Sequence, residues 1–151
     1  MRKFTQIMRR SQECPDGWLK GLDGSDLARA FYETRYNQEQ FDRLAGLIVN
    51  GHEEHTPTAN HTGLTGSERA MLNLASVVVL ASSDYFEANG KGLEDTRYGF
   101  CLRKEIPTSE MILTFQAPPM HRLCGFYGLS RQELSKRVSE IEGKYKLRAM
   151  N

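Results

Sequence analysis

Three histidines close together are the clearest candidates for chemistry in this sequence. His52, His55 and His61 lie within the polar segment 51–64, and two glutamates separate the first pair. Imidazole and carboxylate groups are ligands that zinc accepts in tetrahedral sets. The spacing of the first pair is i, i+3, unlike the i, i+4 pair of the H-E-x-x-H motif, and the segment follows a predicted helix end. A zinc site is one interpretation, and a solvated loop with a pH-dependent charge is the other.

A second candidate is the start of a predicted helix, where hydroxyl and backbone N–H groups are close in sequence. Gly63, Thr65, Gly66 and Ser67 lead into this helix. Unpaired N–H groups at a helix N-terminus, with the positive end of the helix dipole, can bind phosphate or carboxylate. The sequence has no Walker-type lysine here and no G-x-G-x-x-G motif. An ordinary capped helix start is therefore the simpler interpretation.

Nucleophilic catalysis has little support from residue spacing. The sequence contains no G-x-S-x-G segment, and the one suggestive pair is His121 and Cys124, which would be neighbours on a helix. The members of a catalytic triad come from distant positions, so spacing alone leaves an enzyme open. We predict no catalytic residue and favour a protein that is not an enzyme.

Basic residues are concentrated at the two ends of the chain, although the net charge is only +1. Residues 128–138 resemble the first helix of a helix-turn-helix motif, with a capped start, a leucine and then small and basic residues. Too little chain follows them for a recognition helix, so phosphate contacts remain, provided that both ends converge on one face. A nucleic-acid-binding regulator is thus one hypothesis. Its predicted contacts are Arg2, Lys3, Arg9, Arg10, Lys136, Arg137, Lys144 and Arg148.

These residues need a framework, and its clearest element is a long helix at about 66–88. Thr65 and Glu68 have the spacing of a capping box, and Asn89 with Gly90 can close the other end. The centre of this helix, residues 77–81, is apolar on every side. We therefore expect other helices to cover it all round.

Shorter amphipathic helices are predicted before the long one. Residues 3–12 place apolar side chains at i, i+3 and i+4, and a second helix opens at Ser25. A third opens at Asn37, which has the capping spacing, and is predicted to stop at Asn50 and Gly51. The second and third helices are expected to form an antiparallel pair that packs on the long helix.

A small β-hairpin is predicted after the long helix. Residues 97–103 alternate apolar and polar side chains, and residues 111–116 can pair with them. The alternative for the second strand is a short helix capped by Thr108 or Ser109. The following Ala-Pro-Pro segment, residues 117–119, is expected to interrupt regular structure.

The last predicted helix carries a narrow apolar stripe. Ser130 and Glu133 form another capping box that opens it. Such a stripe can dock on the parent core, pair with a second copy of the chain, or receive another protein. We predict a homodimer or another protein partner, contacted by Tyr127 and by the stripe residues Leu134, Val138, Ile141 and Tyr145.

We expect residues 1–151 to form one domain. Its predicted fold is mainly α: a compact helical bundle around the long central helix, with the hairpin at its side. The odd cysteine count gives no disulfide framework, and no signal-peptide-like or membrane-spanning run occurs, so a cytoplasmic location is expected.

The leading functional hypothesis is a small non-enzymatic protein that binds another macromolecule. Its length and lack of catalytic motifs give the impression of the small phage or mobile-element proteins that modulate host machinery. A nucleic-acid-binding regulator and a metal-dependent enzyme built on the histidines are the alternatives. No cofactor is predicted apart from zinc.

Overall fold

The computed structural model describes residues 2–14, 22, 24–55, 65–88, 107–114 and 117–149, and for 51–55, 83, 84, 86–88 and 145–149 it describes the backbone alone. All the regular structure in these residues is helical, which confirms the mainly α prediction. The helices are α1 (Lys3–Glu13), α2 (Gly24–Glu33), α3 (Gln38–His55), α4 (Gly66–Ala88), α5 (Thr108–Thr114), α6 (Pro118–Tyr127) and α7 (Arg131–Ala149).

The bundle is built around α4, which packs against α2, α3, α5, α6 and α7. Both hydrogen bonds of its predicted capping box form: Thr65 Oγ1 accepts from the Glu68 N–H at 3.1 Å, and Glu68 Oε1 accepts from the Thr65 N–H at 3.0 Å. The side chains of Leu74 and Val78 are fully buried. A local capping signal and an apolar body therefore fix this helix as the core element.

Among the described residues, one strip of α4 is exposed, and the expectation that residues 77–81 are covered all round is wrong at Leu80. Asn73, Ser76 and Leu80 follow one another at i, i+3 and i+7, and all three are exposed, Leu80 to 44%. The neighbouring helices leave this strip open because they pack on the other sides of α4. Among the described helices, none has the length and apolar character needed to cross a bilayer.

Helices α2 and α3 form an aromatic contact beside α4. The rings of Phe31 and Phe41 are tilted, with centroids 4.8 Å apart, and Asn37 Oδ1 accepts from the Gln40 N–H at 3.0 Å as predicted. The predicted stop at Asn50 and Gly51 is wrong, because α3 continues to His55. A glycine inside a helix lowers the stability of that helix by only about 1 kcal/mol relative to alanine, and a long helix can tolerate this loss.

Helix α1 begins without a capping side chain of its own. Arg2 occupies the N-cap position and makes no side-chain cap hydrogen bond. Instead the Glu33 carboxylate, at the end of α2, accepts from the N–H groups of Lys3 at 3.2 Å and Phe4 at 2.8 Å. The Arg2 guanidinium donates to the Glu33 carbonyl oxygen at 2.8 Å. This contact between two helices fixes α1 against α2, with Phe4 and Ile7 buried.

The predicted β-hairpin is wrong in its second strand. Residues 111–114 belong to α5, in agreement with the alternative of a short helix beginning near Thr108, and residues 97–103 lie outside the described part of the chain. The cap of α5 comes from a side chain of α7, and not from the side chain of Thr108 or Ser109. The Glu142 carboxylate accepts from the Thr108 and Ser109 N–H groups, each at 3.2 Å. The helix depends on a residue far away in sequence, which strand alternation could not reveal.

The Ala-Pro-Pro segment starts a helix and does not interrupt one. Proline suits the first helical turn, because N–H groups there have no intrahelical acceptor and proline lacks this group. Helix α6 has prolines at its first two positions. Gln38 ties α6 to α3, donating from Nε2 to the Arg122 carbonyl oxygen at 2.9 Å. A Cβ at Gly125 would lie 2.5 Å from Gln38 Oε1, so a larger residue at this position would displace the end of the Gln38 side chain.

Helix α7 begins at the predicted capping box. The Glu133 N–H donates to Ser130 Oγ, and Glu133 Oε1 accepts from the Ser130 N–H, both at 3.1 Å. Leu134, Val138 and Ile141 are at most 6% exposed, and they belong to the core of this chain. The stripe could have packed on the core of its own chain, paired with a second copy or received another protein. These three residues pack on the core of their own chain.

We expect Glu142→Ala to lower the free energy of unfolding by about 1–2 kcal/mol, because two N–H groups of α5 lose their acceptor. Glu140→Ala is the matched control, since Glu140 lies on the exposed side of α7 and caps no helix. Urea unfolding followed by circular dichroism measures both. Equal losses in the two variants would contradict a capping role for Glu142.

Candidate functional site

A short turn joins α6 to α7. Gly128 closes α6 in the left-handed conformation, at φ +65°, and the Leu129 N–H donates to the Cys124 carbonyl oxygen at 3.1 Å. Ser130 then caps α7 at once. The two helices contact each other only sparsely, so α7 does not fold back along α6. The arrangement is a helix, a glycine-containing turn and a second, capped helix.

The exposed face of α7 follows from its buried one. Leu134 and Val138 face the core, and Ser135 Oγ donates to the Ser109 carbonyl oxygen at 2.7 Å, so α4, α5 and α6 occupy this side. The opposite face is open to solvent. Its exposed side chains are Gln132, Glu133, Lys136, Arg137, Ser139 and Glu140.

Two of the acidic groups on α7 already have hydrogen-bond partners. Hydrogen bonds from Ser130 lower the pKa of Glu133, and the Glu142 carboxylate caps α5. Lys136 and Arg137 are exposed nearby, one turn beyond the capping box. The half of α7 next to the turn is thus a polar, hydrogen-bonding surface on which Lys136 and Arg137 stand beside the ionised carboxylate of Glu133.

The basic residues predicted on α1 do not belong to this surface. Arg2 donates to the Glu33 carbonyl oxygen, and Lys3 forms an ion pair with Asp26 at 3.3 Å. Arg9 and Arg10 are exposed. Because α1 packs mainly on α2, whereas α7 packs on α5 and α4, the two basic groups sit on different helix pairs. The side chain of Arg148 is outside the described part.

A pocket of about 300 Å³ lies beside α7, at the start of α4. Four helices supply its lining: α3, α4, α6 and α7. The side chains are Val49, Ser67, Glu68, Met71, Tyr127, Arg137, Glu140, Ile141 and Lys144. The structure therefore brings together Arg137 and Lys144, predicted to bind nucleic acid, with Tyr127 and Ile141, predicted to bind a partner.

The charges in the pocket are partly paired. Lys144 Nζ lies 2.7 Å from Glu68 Oε2, and this hydrogen bond, with a second from the Thr65 N–H, holds the pKa of Glu68 below its ordinary value. Burial raises the pKa of Tyr127 to about 12, so the phenol stays protonated at neutral pH and can donate a hydrogen bond. The pocket thus offers a neutral donor beside one satisfied ion pair.

A second surface combines arginine and tyrosine side chains at the end of α2. The Arg35 guanidinium lies 4.0 Å from the ring centroid of Tyr32 and 4.9 Å from that of Tyr36, and it also donates to the Tyr32 carbonyl oxygen at 2.9 Å. Arg29 lies 5.4 Å from the Tyr32 ring. Tyr36 is nevertheless 70% exposed. We call Arg29, Tyr32, Arg35 and Tyr36 the tyrosine–arginine surface.

The residues with predicted catalytic or metal chemistry are placed as follows. His52 and His55 lie one turn apart near the end of α3 and not in a loop, their side chains are outside the described part, and so is His61. Within the described residues, no group of three potential ligands could hold a metal ion. His121 and Cys124 share α6, but burial raises the pKa of the Cys124 thiol, which opposes thiolate formation.

Comparison with protein-family models, with curated proteins and with solved structures gave no match. The site must therefore be interpreted from its own geometry.

Sequence reasoning missed three features. It expected the prolines at 118 and 119 to interrupt regular structure and so did not place α6 before residues 128–138, although proline at a helix start is a known signal. It also missed the tyrosine–arginine surface, for which the cue was the run of Arg and Tyr at positions 29–36. Gln132, on the exposed face of α7, was likewise not singled out.

The Glu68 carboxylate gives a pH prediction. Its pKa is lowered in the folded protein, so its contribution to stability is complete above the ordinary value of 4.5 and is lost as the pH falls through the lowered one. We expect wild type to lose more stability than Glu68→Gln between about pH 6 and about pH 3 in thermal unfolding. Glu13→Gln, an exposed change at the end of α1, should follow wild type; a Glu68→Gln profile parallel to wild type would contradict the prediction.

Proposed function

We propose that this protein is a non-enzymatic DNA-binding regulator that inserts the first half of α7 into the major groove. The observation that carries the proposal is the turn at Gly128, which joins α6 to a capped helix whose open face is polar and includes Lys136 and Arg137. In a helix-turn-helix the second helix enters the major groove, and its N-terminal residues contact the bases. Residues 128–138 would then form the turn and the recognition helix, and not a first helix.

The side chains of this face suit such a role. Gln132 can pair with adenine through two hydrogen bonds, and Lys136 can contact guanine or a phosphate. Arg137, on the flank of the face, suits a phosphate contact. Glu140 is one turn further from the turn, where the helix would leave the groove. A regulator of this kind needs no catalytic residue, as is expected of small proteins that phages or mobile elements use against host machinery.

DNA binding predicts a steep dependence on salt. We expect fluorescence anisotropy with a random duplex to show binding at about 50 mM salt that weakens strongly by about 200 mM. Lys136→Gln and Arg137→Gln should each weaken binding and reduce the salt slope by about 1. Arg43→Gln, an exposed change of the same type on α3, is the control.

Absence of binding at the lower salt concentration would contradict the proposal. So would an Arg43→Gln variant as impaired as Lys136→Gln. Arg9→Gln should leave DNA binding unchanged, because α1 and α7 pack on different helices. A loss equal to that of Lys136→Gln would show instead that α1 contributes phosphate contacts.

The second candidate function is protein binding, and in particular a homodimer through the tyrosine–arginine surface. Tyrosine and arginine dominate the energetically important positions of protein interfaces, and Arg35 holds Tyr36 in a preformed position on an exposed surface. The stripe of α7 cannot serve as the dimer contact while Leu134 and Val138 are in the core. Dimeric helix-turn-helix proteins bind two half-sites about 34 Å apart, and a homodimer of this chain would carry two copies of α7.

The dimer predicts a mass that rises with protein concentration in light scattering. Tyr36→Ala should shift this curve toward monomer without changing the melting temperature by much, because the ring is largely exposed. Leu113→Ala, which shortens an exposed apolar side chain on α5, is the control. A monomeric mass for wild type at every concentration would exclude the homodimer.

A further inference from the structure

The pocket beside α7 has a feature that DNA binding does not use. Three of its lining side chains are apolar, those of Val49, Met71 and Ile141, and its volume of about 300 Å³ is at the small end of ligand sites. Polar side chains from α4, α6 and α7 form the rest of the lining. An apolar cavity with a few converging polar groups is the usual form of a small-molecule site.

The polar groups determine which ligand fits. Glu68 and Lys144 largely neutralise each other in their ion pair at 2.7 Å. The Tyr127 hydroxyl and the Arg137 guanidinium have no hydrogen-bond partner among the described residues, and both are donors. One unpaired carboxylate, that of Glu140, also lines the pocket and opposes an anion. The charges of the four charged side chains of the lining sum to zero, and Arg137 also interacts electrostatically with Glu133. The hydrogen-bond donors of Tyr127 and Arg137 nevertheless favour a ligand group that accepts hydrogen bonds, and a carboxylate can accept from both.

We propose that this pocket binds a small amphipathic carboxylate, with its carboxylate against Arg137 and the Tyr127 hydroxyl and its apolar part on Val49, Met71 and Ile141. Such a ligand would also act on DNA binding, and this second step rests on the proposed function. Arg137 lines the pocket and lies on the flank of the DNA-facing surface, so a carboxylate that pairs with it removes a phosphate contact. Ligand and DNA therefore oppose each other, by the same factor in each direction.

The binding step is tested without DNA. Hexanoate is the probe, titrated into the full-length protein and followed by amide chemical shifts in NMR; hexanol and hexylamine have the same apolar chain without the negative charge. Saturable binding of hexanoate, tighter than that of either control, is the expected result. No saturable shift, or tighter binding of hexylamine or hexanol, would overturn the site.

Variants assign the polar contacts. Arg137→Gln should weaken hexanoate binding by about tenfold or more, since a hydrogen bond to a charged group is lost, and Tyr127→Phe should weaken it less. Glu140→Gln should tighten binding, because it removes the opposing carboxylate. Lys136→Gln is the control, because Lys136 is adjacent in sequence and does not line this pocket. Unchanged binding in Arg137→Gln would overturn the assignment, and melting temperatures show that each variant is folded.

The coupling step is tested with the duplex. Saturating hexanoate should weaken DNA binding of wild type and of Lys136→Gln, and should leave that of Arg137→Gln unchanged. If hexanoate binds and DNA affinity does not change, the coupling is overturned and the site stands. If no DNA binds at all, the proposed function fails, and the hexanoate titrations still test whether the pocket binds a carboxylate.

Discussion

The need to cover α4 is the constraint on which the rest of this bundle depends. A helix that is apolar along most of its circumference cannot remain in water, and five other helices pack against it. One consequence is that the stripe of α7 turns inward, with Leu134 and Val138 fully buried. The polar face of α7 is then necessarily the outer one. The candidate interface is in this sense a result of core formation.

Capping between helices determines which charges remain available at the surface. Glu33 and Glu142 each accept two backbone N–H groups from a helix that has no cap of its own. These contacts satisfy donors that would otherwise lose hydrogen bonds on burial, and they fix α1 on α2 and α5 on α7. They also keep the carboxylates of Glu33 and Glu142 in hydrogen bonds with backbone N–H groups. Lys136 and Arg137 are left as exposed charges near the α6–α7 turn although the net charge of the chain is only +1.

The pocket and the outer face of α7 meet at Arg137. A side chain that lines a cavity on one side and borders a basic surface on the other can link two binding events without a large conformational change. The fixed pair of Glu68 and Lys144 forms another wall of the pocket and ties α7 to the start of α4. Since α4 is the central element, the site rests on rigid helices, which is the arrangement that holds functional groups most accurately.

The sequence by itself determined the features that depend on near neighbours. The capping boxes of Thr65 with Glu68 and of Ser130 with Glu133 are as predicted, because their partners are three residues apart. The tertiary structure alone decided that residues 108–114 form a helix and not a strand, because the helix is capped by Glu142. It also decided that the apolar stripe of α7 belongs to the core, and that α7 does not pack back along α6 after the turn at Gly128. Each of these depends on groups that are distant along the chain, and such contacts leave no periodic signal in the sequence.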